Sequence, residues 1–395
     1  MTSHHEMAAL FGGLLGQRGT ANLAMQRWGS GVSDSDAVQS TAAVLVLARN
    51  TFADSYRNNR PKESIFWHNF RVADAVHQNN AHVEPRLRLM KTFMAAAHDL
   101  CEDSRKLTPQ TPIMPAHIAA LWKGSAQEKQ LIVDVLTLKT DAAGLEGDAR
   151  RAAQHQRVSE VRSGQHGEAG KIYVELMAAD KKDNLTADLT DMQAGRLHFA
   201  TRSQGLEFVF KKIADAQIVK ALPVDAAVKK DFQDTYETMM ARLIVHKIVP
   251  TTNEIISQSD ARHREQLVRA HLSGTNPFNA KDAQFYVQST NQKLHVLNQD
   301  YKRLHTGTVK FKTRAHGLEY AFAHTADALT VRAAPVAEPL RTKFNTIYDG
   351  IMTELLYAGS IKPTMVAHEN TTVPYVYKNR RPSRAGRLTA LTHHI

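Results

Sequence analysis

A single cysteine, Cys101, stands in 395 residues. A lone thiol cannot close a disulfide within the chain and suits a reducing compartment, so a cytoplasmic location is the expectation. No apolar run reaches the roughly 18 residues that suggest a membrane span, and no membrane partner is expected. The stretch Ala8-Ala9-Leu10-Phe11-Gly12-Gly13-Leu14-Leu15-Gly16 is short, with no basic leader and no clear cleavage site. An organelle-targeting reading would rest on Arg18 and Arg27 against one acid, Glu6, over the first 30 residues. Acids are also missing from residue 370 onward, where Lys378, Arg380, Arg381, Arg384 and Arg387 accumulate. A tail of that kind attracts polyanions. Weak nucleic-acid contact and simple solubilisation are its two readings. Alternating strand patterns are lacking, and apolar residues recur at helical spacing, so the expected fold is all-α.

What is present is a large apolar fraction, 43%, enough for a packed core, and a net charge of +11. The chain is long for one ordinary domain, and two or three units are expected. The stretch around which they are organised is Ala95-Ala96-Ala97-His98-Asp99-Leu100-Cys101-Glu102-Asp103. On a helix, His98 and Asp99 would point about 100° apart, which suits a pair gripping one ion near a helix end. Glu102 and Asp103 follow one turn later. Four ionisable groups leaving an apolar helix are costly unless an ion or partner holds them; a solvated last turn is the plainer alternative.

Two further segments bear on that choice. His68 lies in Phe66-Trp67-His68-Asn69-Phe70-Arg71, and Asp180 in Ala178-Ala179-Asp180-Lys181-Lys182-Asp183-Asn184-Leu185. The ordered set of a lone His, a His-Asp pair and a lone Asp resembles the HD superfamily of metal-dependent phosphohydrolases. His-Asp-x-x-Glu-Asp followed by Ala-Asp-x-x-x-Asn-Leu looks most like the guanosine polyphosphate (RelA/SpoT-type) pyrophosphohydrolase branch. The resemblance covers roughly residues 40 to 190. It implies a helical HD domain, with His68, His98, Asp99 and Asp180 as ligands of manganese or another divalent first-row ion. It further implies Glu102 and Asp103 as the residues that orient water and exchange its protons, and a nucleotide as substrate. Asn184 would hold a ribose or base edge. A basic residue before His68 would meet substrate, and Arg57, Arg60 and Lys62 are all available. The segment closing on Lys139 loosely resembles the family's Thr-Lys segment. No synthetase-like region follows, and Ala187 stands where the family often has Thr.

The donor types agree with that implication. Imidazoles and carboxylates suit a first-row divalent ion with open water positions, and the lack of nearby thiolates speaks against structural zinc. Cys101 has no relay partner and reads as a small buried residue. His77, His82, His117, His155 and His166 read as surface, and Lys181 and Lys182 as a solvated face. The competing class of function is a non-enzymatic HD scaffold that binds a partner or nucleic acid.

The domain reading is a weakly patterned segment over residues 1 to 37, an HD domain over 38 to 195, a helical region over 196 to 370 and a basic tail over 371 to 395. Helices are expected over 42 to 56, from Pro85, over 115 to 122, 125 to 139, 147 to 163 and 168 to 190, with a polar connection over 57 to 65. Ser125 with Glu128 makes a capping box. Beyond 195 the chain repeats itself. Thr201-Arg202-Ser203-Gln204-Gly205-Leu206-Glu207-Phe208 matches Thr313-Arg314-Ala315-His316-Gly317-Leu318-Glu319-Tyr320 at an offset of 112. That offset also pairs Tyr236 with Tyr348 and Met240 with Met352. Duplicated helical units over 201 to 250 and 313 to 363 are the expectation, since two copies do not make a solenoid. Arg196-Leu197-His198 and Arg303-Leu304-His305 read as the lead-in to each copy. The second copy shows Gln288-Ser289-Thr290-Asn291-Gln292 where the first has Asp180, so no metal is expected there.

Overall fold

A computed structural model describes residues 17–52, 55–57, 60–107, 110–142, 144–145, 147–245, 273, 280–357 and 360–361. The side chains of residues 17, 56, 57, 60–62, 245 and 280–283 are outside that description, as is the basic tail.

The fold is all-α. Helices α1 (Gln17–Trp28) and α2 (Ser35–Phe52) lead to a two-stranded antiparallel hairpin, β1 (Tyr56–Arg57) and β2 (Arg60–Ser64). There follow α3 (Ile65–Asn79), α4 (Pro85–Ala97), α5 (Leu100–Leu107), α6 (Pro115–Ala119), α7 (Ala126–Thr140), α8 (Gly147–Arg162) and α9 (Gly167–Gln193). The last five are α10 (Arg202–Ala221), α11 (Ala226–Val245), α12 (Ala280–His305), α13 (Arg314–Ala333) and α14 (Glu338–Tyr357). Two local expectations are corrected. The helix expected over 42 to 56 begins seven residues earlier, where Asp34 accepts from the Ala37 amide, and ends at Phe52. The connection over 57 to 65 pairs as strands, a feature its polar residues could not signal by alternation.

Local chemistry sets the helix ends that matter for the site. Ser64 accepts from the Phe66 amide and opens α3 one turn ahead of His68. Glu84 accepts from the Arg86 and Leu87 amides, and Pro85 takes the first position of α4, where a missing N–H costs nothing. The Ser125–Glu128 capping box forms as expected. Around these ends, α1 to α4 and α7 pack about a core that includes Trp28, Phe52, Phe93 and Trp122. Asp74 fixes α1 to α3 by accepting from Arg27 Nε at 2.7 Å and Trp28 Nε1 at 3.1 Å.

Beyond α8 the helices fall into two units, α9–α11 and α12–α14. The bounds of α10 and α11 shifted by 112 are those of α13 and α14, and the end of α9 shifted likewise is the end of α12. Thr201 and Thr313 cap α10 and α13 alike, each accepting from an amide three residues on at 3.2 Å. Gly195 and Gly307 close α9 and α12, both at φ 66°, a conformation that only glycine adopts cheaply. The amides after them reach back to Asp191 and Arg303 carbonyls at 2.8 Å. The lead-in is thus corrected: Arg303 corresponds to Asp191 and not to Arg196, whose counterpart is Thr308 after Gly307.

Ion pairs repeat at the same offset. Within the units, Lys181–Asp215 is matched by Lys293–Asp327, and Lys212–Asp188 by His324–Asp300. Between them the pairs are reciprocal: Arg202 meets Glu319 while Arg314 meets Glu207, and Lys220 meets Asp349 while Arg332 meets Glu237. A pairing of i with j and j with i is what an approximate two-fold axis produces, as in an isologous dimer. Tyr236 and Tyr348, equivalent in register, interact across this contact.

Candidate metal centre

His68 is on α3, a helix whose buried face includes Phe66, Asn69, Phe70 and Val72. His98 and Asp99 occupy the break between α4 and α5, so the expected helix end is there. Asp180 comes from the middle of α9. These three places meet. His68 Nε2 lies 3.3 Å from His98 Nε2, 3.2 Å from Asp180 Oδ1 and 3.4 Å from Asp99 Oδ2. His98 Nε2 lies 3.2 Å from Asp99 Oδ2 and 3.8 Å from Asp180 Oδ1. Ligand atoms of His68, His98 and Asp180 all fall within 4.8 Å of one another.

The second nitrogen of each ring decides what the first can do. His98 Nδ1 is 2.7 Å from the Ala95 carbonyl at the end of α4, an oxygen that also takes the His98 backbone amide at 3.4 Å. His68 Nδ1 is 2.8 Å from Asp183 Oδ2. Both partners are pure acceptors, so both Nδ1 atoms carry the hydrogen, and in the neutral rings both Nε2 atoms present lone pairs. Two lone pairs at 3.3 Å beside two carboxylates have no hydrogen to share; a cation satisfies all four. The donor set therefore fits a divalent first-row ion.

Around this set the charges are ordered. Burial would raise the Asp99 carboxyl, but the protonated forms of the His98 and His68 rings, present only while no cation occupies the Nε2 atoms, would outweigh it and hold it well below the carboxylate range. The same opposition acts on Asp180, where Lys139, with Nζ 2.5 Å from Oδ2, and the two imidazoles win. Asp183, which orients His68, is itself gripped by Arg71 through Nε at 2.6 Å and Nη2 at 3.1 Å.

Glu102 is buried and receives Arg150 Nη1 and Nη2, each at 2.7 Å, with Lys106 at 3.1 Å. Burial opposes its ionisation, yet Arg150 holds its carboxyl below the usual range. Asp103 goes the other way: burial and then the neighbouring Asp99 charge push its carboxyl up, with Lys106 at 3.1 Å pulling against them. Asn184 donates to Asp180 Oδ1 at 2.7 Å, so its amide nitrogen serves the ligand. The side chains of Arg57, Arg60 and Lys62 lie outside the described residues; their backbone forms the hairpin that leads into α3.

Four residues that touch this set were not singled out as site residues from sequence: Asp183, Arg71, Lys139 and Arg150. Asp183 follows Asp180 by three residues and Arg71 follows His68 by three, so helical spacing from the ligands was the available signal. Several expected surface groups are also placed differently. Lys181 is 8% exposed because Asp215 of α10 packs against it. Lys182 bonds Thr235 of α11 at 2.6 Å. His77 is half-buried against Thr92, His155 stacks on Tyr357 with ring centres 3.9 Å apart, and His166 meets Glu160. His82 and His117 are exposed, and Cys101 is fully buried. In the second unit Gln292 stands at the position of Asp180.

No protein-family model matches the chain, and no similar curated protein or solved structure was found. None of the helices is long and apolar enough to cross a membrane, among the described residues.

Proposed function

We propose that this chain is a divalent-metal-dependent phosphohydrolase of nucleotides, with the pyrophosphate of a guanosine polyphosphate as the leading substrate and another nucleotide as the alternative within the same chemistry. One observation carries the reading: two imidazoles with their Nδ1 atoms already committed turn their Nε2 atoms toward each other and toward Asp99 and Asp180. The resemblance of the ordered His, His-Asp and Asp set to HD phosphohydrolases supports it.

His68, His98, Asp99 and Asp180 would hold the ion, for which manganese is the expectation. Such an ion lowers the pKa of bound water and offsets charge on phosphoryl oxygens. Asp103, whose carboxyl is pushed up by burial and by Asp99, is the better proton carrier of the acid pair, since Glu102 is pulled the other way by Arg150. Glu102, kept ionised, fixes the Arg150 guanidinium at the edge of the site. Lys139 and Arg150 add positive charge beside Asp180, where a polyphosphate is attracted. Asn184 steadies Asp180 through its amide, which leaves any ribose contact to the rest of the pocket.

The test is turnover of a nucleotide panel, guanosine tetraphosphate included, by purified protein with manganese. Phosphate or pyrophosphate release is expected from at least one nucleotide, and His98→Ala should abolish it together with metal binding. A protein that binds no manganese and turns over nothing would instead be a helical binding scaffold.

A further inference from the structure

Helix α12 is the counterpart of α9, and the two differ most in what covers them. Residues 284–299 of α12 correspond, at the offset of 112, to residues 172–187 of α9. On α9 that stretch is roofed over. His68 of α3 meets Asp183, Lys139 of α7 meets Asp180, and Lys91 of α4 meets Glu175. Nine positions of α12 in this stretch are exposed, whereas none of the nine equivalents on α9 is. The roof comes from the first half of the chain, and the second unit has no copy of it among the described residues.

The exposed strip is not an ordinary solvent face. Surface positions are charged about 25–35% of the time, so nine of them should carry two or three charges. These nine carry none. Five are glutamine or asparagine, and the others are Phe285, Val287, His295 and Val296. The one charged residue of the stretch, Lys293, is turned to Asp327 of α13 at 2.7 Å. Of the seven large apolar side chains exposed among the described residues, three belong to this strip, so apolar surface gathers where charge is missing. Depletion of charge marks the core of an interface.

The chemistry of the strip also names its occupant. A side-chain amide donates and accepts hydrogen bonds alike, so a row of glutamines is complementary to a copy of itself. With no charge on either side, two such strips meet without repulsion. The basic tail is no match, because its five cations would find no acid there. We propose that the outer face of α12 joins two copies of this chain, as an antiparallel pair of helices about a two-fold axis at Gln292. That axis sets Gln292 against itself, Gln288 against Val296 of the second copy and Phe285 against its Gln299, an isologous contact. The strip is about 24 Å long and one helix, about 10–12 Å, wide. That is well under the roughly 800 Å² per partner of a standard interface, so the association is weak and reversible. It stands whether or not the metal centre is catalytic.

Sedimentation equilibrium of the full chain tests it. Over about 1–200 µM the wild type should pass from monomer mass toward dimer mass. Gln292→Glu sets two like charges against each other on the axis, and Gln292→Lys does the same with the opposite sign. Each variant alone should self-associate about tenfold more weakly than the wild type, or worse. An equimolar mixture of the two should recover at least the wild-type affinity. Gln292 is exposed, so the core of the monomer is untouched, and unchanged circular dichroism of both variants checks this. A wild type that stays monomeric throughout would hand the strip to another protein or to a segment outside the described residues, and would overturn the proposal. Variants that dimerise as the wild type does, or a mixture that regains nothing, would overturn it as well.

Discussion

Asp183 does its work at one remove from the ligands. It accepts from His68 Nδ1 and is held by Arg71, so it fixes which nitrogen of His68 faces the centre. Outer partners of that kind tune a ligand's orientation and basicity. Asp183→Asn should lower manganese affinity about 10–100-fold in equilibrium dialysis, with the helical circular dichroism kept. His77 offers a pH test away from the centre. Burial pulls its pKa from the ordinary value down to about 4, so the unfolded chain takes up a proton that the native chain refuses between that value and 6.5. Stability therefore falls as pH drops through this window. Urea unfolding of His77→Gln should show a flatter acid limb than the wild type from pH 6.5 to 4. At this scale the four ligand candidates were legible because residue type, order and helical context coincide. Arg150 was not, since it meets Glu102 from 48 positions away and nothing local marks it.

Among the elements, helix ends were the most readable feature. Ser125 with Glu128 and Pro85 open helices where their chemistry says they should. The hairpin over Tyr56–Arg57 and Arg60–Ser64 was invisible, because short polar strands show no buried alternation. The offset of 112 was legible in α10 and α13. It blurred before them, because Asp191-Met192-Gln193 and Arg303-Leu304-His305 share position and not residue type. Thr201 and Thr313 make the same bond at the same distance, so Thr201→Ala and Thr313→Ala should each cost about 1 kcal/mol of stability. Denaturant midpoints of the two single variants and the double variant check it. Unequal losses would show that the two units do not carry load alike.

Across the whole molecule, α8 links its two halves. Arg150 reaches Glu102 at one side of the helix, and Asp148 reaches Arg314 of α13 at 2.8 Å at the other, with His155 stacked on Tyr357 of α14. None of these long-range pairings can be read from a single sequence, in which opposite charges are plentiful and their partners unmarked. Helix α9 is the stronger tie. Its inner face supplies Asp180 and Asp183 to the metal centre, while Lys181 and Asp188 on the same helix bind α10. One rod of 27 residues thus serves as a wall of the candidate metal site and the first beam of the paired frame behind it. A truncation placed at the close of this rod would strip the mates from Lys181 and Asp188 and leave two charges facing a void. A fragment excised at that point is therefore expected to fold less stably than its ligand list suggests, and expression trials should carry the frame along.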